Sequence, residues 1–233
     1  MGELKAAPTS TSEFWLGVRD ELPLLLGVAP FGMIYGVLAV AASLPNGISQ
    51  AMSSIVFAGS SQFLAVQLLG SGVPLLIILL TGIVVNLRHA LYSASIAPFV
   101  HHLSPAWKAG LAYLLTDEAY AVAINHYADE TRDNRHKHWY FLGAGLTLWA
   151  CWQISSALGI FVGQVIPADL PLDFTLPLIF IALVVPNLRD KPAIIAALAA
   201  GLISVLAFGL PYKLGLLLAA IVGMGAGVWL DRK

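Results

Sequence analysis

Two polar strings interrupt long apolar stretches of this sequence, and their residue types are able to bind or move charge. The first is Asn-Leu-Arg-His at residues 86–89, and the second is Thr-Asp-Glu at residues 116–118. A charge at the centre of a bilayer costs about 2.5–3.5 kcal/mol, so such residues face a cavity or a partner. Arg88 could therefore serve a functional site, snorkel, or form a structural ion pair with Asp117 or Glu118.

The two neighbouring carboxylates have different candidate roles. Adjacent residues on a helix point about 100° apart, so at most one of Asp117 and Glu118 easily faces the same cavity as Arg88. A carboxylate in a low-dielectric site takes up a proton readily. Asp117, Glu118 and the nearby His89 are therefore candidates for proton coupling or ion pairing. The same carboxylate could instead bind a positively charged substrate group.

Two glycine-containing strings predict broken helices in the N-terminal half. Gly-Val-Ala-Pro-Phe-Gly occupies residues 27–32, and Phe-Ala-Gly-Ser-Ser-Gln-Phe occupies residues 57–63. Proline removes a backbone donor, and a broken helix exposes an N-terminus that attracts anions such as carboxylates. The alternative is structural, because small residues let helices pack closely and proline kinks are ordinary in membrane helices.

The composition predicts an all-helical, polytopic integral membrane protein. Of the 233 residues, 58% are hydrophobic and 11% are charged, whereas soluble domains carry about 25% charged residues. No charged residue occurs from Leu22 to Leu87. Hydropathy suggests about eight spans, or seven if the second run is re-entrant. Their approximate bounds are 22–43, 51–70, 74–97, 109–128, 139–165, 172–188, 192–209 and 212–230.

Lys and Arg positions predict that both termini are cytoplasmic, because basic residues accumulate on that side. With the N-terminus inside, nine of the twelve basic residues lie inside, Lys108 and Lys213 lie outside, and Arg88 lies within the third span. We expect a cytoplasmic tail and amphipathic lead-in at 1–21, one transmembrane transporter domain at 22–230, and a cytoplasmic end at 231–233. The net charge of -1 argues against a nucleic-acid partner.

The residues leave several function classes open. A secondary transporter fits the polar site, whereas an intramembrane enzyme or a channel or structural subunit would use Arg88, Asp117 and Glu118 differently. The sequence has no HExxH, GxSxG or Walker-type loop and no zinc-type Cys/His spacing. We therefore predict neither an enzyme nor a cofactor or metal site.

Several strings resemble the AzlC-type large subunit of bacterial branched-chain amino acid exporters. They are Pro-Phe-Gly at 30–32, Phe-Ala-Gly-Ser-Ser-Gln-Phe at 57–63, Val-Asn-Leu-Arg-His-Ala-Leu-Tyr at 85–92, Leu-Thr-Asp-Glu at 115–118 and, later, Asp-Phe at 173–174 and Val-Pro-Asn-Leu at 185–188. The resemblance implies ion-driven export of valine, leucine, isoleucine and methionine across the bacterial plasma (inner) membrane. It also implies a separate, small AzlD-type membrane subunit.

An amino acid substrate gives the polar strings specific expectations. The substrate carboxylate should lie at the helix opening of residues 59–62, helped by Arg88 or Asn86, and the aliphatic side chain should pack on aromatic rings. The candidate substrate-binding residues are Phe31, Tyr35, Phe57, Gly59, Ser60, Ser61, Gln62, Phe63, Asn86 and Arg88.

Overall fold

A computed structural model describes residues 9–128, 136–165, 181, 185, 188, 190–211 and 214–231. Within these residues the chain forms nine α-helices and no β-strand, which confirms the all-helical prediction. The chain divides into two compact units, Met1–Phe63 with Asn86–Val165 and Leu64–Val85 with Ile166–Lys233. The helices are α1 Ser10–Ala41, α2 Asn46–Val56, α3 Gly59–Gly70, α4 Leu75–Val100, α5 Pro105–Tyr113, α6 Asp117–Ala128, α7 Lys137–Gly163, α8 Lys191–Leu206 and α9 Leu214–Asp231.

In the part of the chain that the structure describes, three helices are long and apolar enough to cross a membrane, namely α1, α4 and α7. The apolar helices α8 and α9 are shorter. These features confirm a polytopic membrane protein. The predicted span at 172–188 lies mostly outside the described residues, as does the C-terminal segment after residue 231, so the total of eight spans stays a prediction.

Helices α1 and α7 run parallel in the first unit and pack backbone against backbone. A Cβ atom added at Gly17 would overlap the Tyr140 carbonyl group, and one added at Gly159 would overlap the Met33 carbonyl group. Small residues at such crossings let two membrane helices approach closely. The tight interface fixes α1 beside α7 along most of its length.

The predicted break at residues 27–32 is wrong, because α1 continues without interruption through Pro23 and Pro30. Each proline removes one backbone donor, but a neighbouring helix can hold such a helix together. Immediately after Pro30, Gly32 lies directly against Ser155 of α7. The packing on α7 therefore keeps the helix straight enough to continue.

Helix α1 also begins earlier than the predicted first span. It starts at Ser10, where the Thr9 side chain accepts a hydrogen bond of 3.1 Å from the Ser12 backbone N–H. The part of the predicted tail from residue 10 to residue 21 is therefore the first three turns of α1. Residues 1–8 lie outside the described residues.

The predicted interruption of the second apolar run is present at Phe57 and Ala58, between α2 and α3. Phe57 adopts a left-handed conformation with a φ of 39°, which is uncommon for a bulky residue and ends α2. Helix α2 packs against α7, with Ser53 donating a hydrogen bond of 2.9 Å to Ser156.

The start of α3 reverses the direction of α2. A Cβ added at Gly59 would lie 3.0 Å from the Trp152 ring, whereas Phe63, one turn later, lies against Tyr35 at a ring distance of 6.3 Å. Tyr35 in turn donates a hydrogen bond to the Ser49 carbonyl oxygen near the beginning of α2. The segment therefore returns toward the end of the unit from which α2 came. We call α2 and the start of α3 the first hairpin.

Helices α5 and α6 form a second hairpin that enters from the opposite end of the unit. Trp107 in the first turn of α5 lies 5.0 Å from Trp139, measured between ring centres. Tyr127 at the end of α6 donates a hydrogen bond of 3.0 Å to the Lys137 carbonyl oxygen. Both ends of this second hairpin therefore lie beside the N-terminus of α7, and the chain reverses at residues 114–116.

The second hairpin corrects two predictions. Residues 109–128 are not one span, since α5 and α6 have 9 and 12 residues and at 1.5 Å per residue neither crosses about 30 Å of hydrocarbon. Lys108 lies at the same end of the unit as Lys137 and not at the other end. The Lys108 ammonium donates a hydrogen bond to the His101 carbonyl, and the His102 ring lies 6.5 Å from the His138 ring. Hydropathy cannot detect a reversal whose two arms are both apolar.

In the second unit, the helices pack through apolar and small side chains. Leu68 of α3 packs with Val73 and Ile78, where the chain turns into α4. Helices α8 and α9 meet through small residues, with Gly223 facing Ala200.

Candidate functional site

The N-terminus of α3 is held by two polar side chains of α4. Ser61 donates a hydrogen bond of 2.6 Å to the Asn86 side-chain oxygen, and the Arg88 guanidinium donates one of 3.2 Å to the Ser60 hydroxyl. The Gln62 N–H bonds the Ala58 carbonyl at 3.0 Å. The N–H groups before Gln62 are those that a helix leaves without intrahelical partners. The expected helix opening at residues 59–62 is therefore present.

The N-terminus of α6 meets the same arginine. Arg88 forms an ion pair with Asp117, the first residue of α6, and their side chains are 30% and 38% exposed. Thr116 caps this helix, since its hydroxyl accepts a hydrogen bond of 3.3 Å from the Ala119 N–H. The tips of both hairpins, each a positive helix end, thus converge on one guanidinium.

In the described part of the chain, one hydrogen-bond donor and one acceptor of the two ion-paired side chains have no hydrogen-bond partner. Arg88 Nε and Asp117 Oδ1 are buried and have no hydrogen-bond partner among the described residues. The Tyr92 hydroxyl also interacts with Asp117, electrostatically and through a hydrogen bond. Buried polar groups are almost always satisfied, so an unpaired donor and an unpaired acceptor on the two ion-paired side chains indicate a place for a ligand with both functions.

Aromatic rings cover one side of the first hairpin tip. Phe63 lies edge-on to Phe31 and Tyr35, at ring distances of 6.1 Å and 6.3 Å. Tyr35 stacks on Trp152 at 6.1 Å. Phe57, which we expected in the same group, instead lies 5.9 Å from Tyr113 of α5.

Gln62 and His89 have different surroundings. Gln62 is completely buried, and neither atom of its amide makes a hydrogen bond to a described residue, although the Tyr35 hydroxyl is near. His89 follows Arg88 on α4 and lies edge-on to Tyr92 at 6.0 Å. Tyr92 stacks on Tyr120 of α6 at 4.4 Å. His89 thus takes part in an aromatic contact between α4 and α6, and it also interacts electrostatically with Arg88 and Asp117.

Glu118 interacts with Arg88 as well, but the ion pair of Arg88 is with Asp117, which agrees with the expectation that adjacent helical residues point about 100° apart. Glu118 also interacts with Glu21 of α1, whose side chain is completely buried. Sequence reasoning missed Glu21 because it placed this residue in the tail. The spacing of Glu13, Gly17 and Glu21 puts all three on one helix face, but that signal required a helix that begins before residue 22.

Sequence reasoning also missed Trp152, which contacts both Gly59 and Tyr35. A tryptophan within an apolar span carries no positional signal of its own.

The chemistry available at the hairpin tips is recognition of charge. A guanidinium and two positive helix ends suit a carboxylate, and Asp117 suits an ammonium group. Among the described residues, no group of three or more His, Cys, Asp or Glu residues is placed to hold a metal ion.

These features define a polytopic membrane protein with a charged site between two helical hairpins. The chain belongs to the AzlC family, whose family model, described as AzlC protein, matches residues 23–166.

Three relatives show the range of the family. The inner membrane protein YgaZ of Escherichia coli is 31% identical over 93% of this chain and 89% of its own. An uncharacterized membrane protein of Archaeoglobus fulgidus is 29% identical over 95% of this chain and 97% of its own. The branched-chain amino acid transport protein AzlC of Bacillus subtilis is 25% identical over 77% and 72%. No solved structure matches this chain.

Proposed function

We propose that this protein is a secondary transporter that exports valine, leucine, isoleucine and methionine across the bacterial inner membrane, coupled to protons. Membership of the AzlC family links the chain to branched-chain amino acid transport through the named protein of Bacillus subtilis. The name of the Escherichia coli relative supports the inner membrane as its location. The family is associated with transport rather than catalysis.

The observation that carries this proposal is the unpaired donor and acceptor at the Arg88–Asp117 ion pair. An amino acid zwitterion supplies the complementary groups. Its carboxylate would accept hydrogen bonds from Arg88 and from the N–H groups at the start of α3, and its ammonium group would donate to Asp117. Ser60 and Asn86 would position these groups, since both lie within the same hydrogen-bonded cluster.

The aromatic cluster supports an apolar substrate side chain. Phe31, Tyr35 and Phe63 lie beside the start of α3, within reach of a ligand bound there. A hydrophobic wall distinguishes one methylene by only about 1–3 kcal/mol. The transporter would therefore accept several aliphatic amino acids with modest preferences.

Export against a concentration gradient needs a second, driving ion because the zwitterion carries no net charge. A proton is the ion that buried carboxylates bind most directly. We also propose a small AzlD-type membrane subunit as partner, on the resemblance of this chain to the two-component exporters.

Counterflow of labelled leucine in proteoliposomes tests the proposal. Vesicles loaded with unlabelled leucine should accumulate the label, with and without the small subunit compared in parallel. Loading with isoleucine, valine or methionine should support counterflow, whereas loading with glutamate should not. The absence of leucine counterflow from both preparations, with protein inserted in the vesicles, would refute the function.

A further inference from the structure

Glu21 is a buried carboxyl group for which the fold supplies no hydrogen-bonding partner. Its side chain has an exposed fraction of 0%, and neither oxygen has a hydrogen-bond partner among the described residues. An ionised carboxylate in such a place would be strongly destabilising, because nothing replaces its lost hydration. Such a group is a candidate site for binding a proton or a cation.

The charged group of α6 that interacts with Glu21 is another carboxyl group. Glu118, in the first turn of α6, interacts with Glu21 across the α1–α6 contact. The two helices are antiparallel. Glu13, eight residues before Glu21, meets His126, eight residues after Glu118, at 2.8 Å. Two neighbouring carboxylates repel when both are ionised, whereas one proton bound by the pair removes that repulsion.

Other charged groups near the pair already have partners. Asp20 accepts a hydrogen bond of 2.7 Å from the Tyr140 hydroxyl of α7. On α7, the Lys137 ammonium donates to the Tyr127 carbonyl oxygen at 2.8 Å. Arg88 of α4 also interacts with Glu118, but its ion pair is with Asp117. Among the described residues, Lys137 and Arg88 are therefore already engaged by other groups.

We propose that Glu21 and Glu118 together bind one shared proton, and that this carboxyl pair is the site through which the transporter is coupled to protons. The proposal rests on the proposed transport function and adds Glu21 as a coupling residue. Glu118 directly follows Asp117, so protonation of the pair acts on the first turn of the helix that would bind the substrate ammonium. Glu13 and His126 lie on the same faces of α1 and α6, about 12 Å along the axis. They form the next side-chain pair between the two helices toward the N-terminus of α1.

Infrared titration of the purified protein in lipid tests the proton site without any substrate. The wild type should show a protonated-carboxyl band at neutral pH, which Glu21→Gln and Glu118→Gln each remove. Glu13→Gln is the matched control on the same face of α1, and it should leave the band in place because His126 bonds Glu13. A band unchanged by both Glu21→Gln and Glu118→Gln would overturn the proposal. Loss of the wild-type band on adding Na⁺ at constant pH would also overturn it, by indicating a metal-ion site.

Transport measurements then test the coupling role. Gln is close in shape to a protonated Glu, so Glu21→Gln should insert and retain leucine counterflow while its pH-driven uphill transport falls to the background of empty vesicles. Uphill transport at the wild-type rate in Glu21→Gln would overturn coupling at this pair. If wild-type vesicles transport no amino acid, the proposed function fails, whereas the infrared titration still decides whether the pair binds a proton.

Discussion

Arg88 on α4 is paired with Asp117, the residue at which α6 begins, and the same guanidinium donates a hydrogen bond to Ser60 at the beginning of α3. One side chain therefore holds the tips of two hairpins that enter the first unit from opposite ends. A ligand that takes over part of this hydrogen bonding would loosen or tighten both hairpins together. Under the proposed function, substrate binding would thereby be linked to movement of both hairpins.

Removing the Arg88 charge should abolish transport. In Arg88→Leu the Asp117 carboxylate loses its ion-pair partner, and the substrate carboxylate loses its fixed cation, so we expect leucine counterflow below a tenth of the wild-type rate. Ser60→Leu should have the same effect by filling the opening of α3. Arg19→Leu, at an exposed position on α1, is the control for loss of a positive charge. Wild-type counterflow in Arg88→Leu or Ser60→Leu would refute the site.

A larger residue at Gly59 should displace the Trp152 ring. A Cβ at this position already lies 3.0 Å from that ring, so alanine requires a small shift and valine a larger one. We expect counterflow to fall in the order wild type, Gly59→Ala, Gly59→Val. Gly47→Val is a suitable control, because no atom lies within 4 Å of a Cβ added at Gly47. Equal effects at the two glycines would show that the Trp152 contact is unimportant.

The second hairpin predicts an unexpected location for Lys108. A cysteine at Lys108 should resist an impermeant thiol reagent added outside intact cells, as should one at Asn134 in the predicted cytoplasmic loop 129–138. Gly47→Cys, beyond the far end of α1, should be labelled. The native Cys151 must be replaced first. Labelling of Lys108→Cys from outside would contradict the return of α6 to the side from which α5 enters.

The sequence predicted the chemistry of this site better than its connectivity. Arg88 and Asp117 were recognisable because charge within an apolar run is costly, and the break before Gly59 was recognisable from its run of small residues. Pro30 was misleading, since its effect on α1 depends on the packing of Gly32 against Ser155 in a distant helix.

The reversal at residues 114–116 had no local signal that hydropathy could use. Both arms of the second hairpin are apolar, and the contacts that fix their direction, such as Trp107 with Trp139, are tertiary. Glu21 was overlooked for a related reason. Its burial follows from the helix that extends back to Ser10, and helix starts are the least reliable part of a sequence-based assignment.

Selectivity among aliphatic substrates should be modest. The wall formed by Phe31, Tyr35 and Phe63 offers apolar contact but no polar group that distinguishes one aliphatic chain from another, so leucine, isoleucine, valine and methionine should compete within about a hundredfold of one another. Competition against labelled leucine in counterflow measures this range. Preference for one of them above about a thousandfold would contradict a simple apolar wall. Phe63→Ala should weaken all four in parallel.

Asp117 and Glu118 are neighbours in sequence, but their substitutions should have different effects on transport because the two residues interact with different helices. Asp117 is paired with Arg88 of α4, whereas Glu118 faces Glu21 of α1. Asp117→Asn removes the charge that would hold the substrate ammonium, so both counterflow and uphill transport should be lost. Glu118→Gln keeps the size and hydrogen bonding of a protonated carboxyl group, so counterflow should persist while a pH gradient no longer drives net transport.

Both variants are measured in the same vesicles, with insertion checked by the amount of protein recovered in the membrane. Uphill, pH-driven transport at wild-type rates in both variants would exclude both residues as proton carriers. Counterflow that survives in Asp117→Asn but not in Glu118→Gln would reverse the two assignments, and would place the substrate beside Glu21 instead of Arg88.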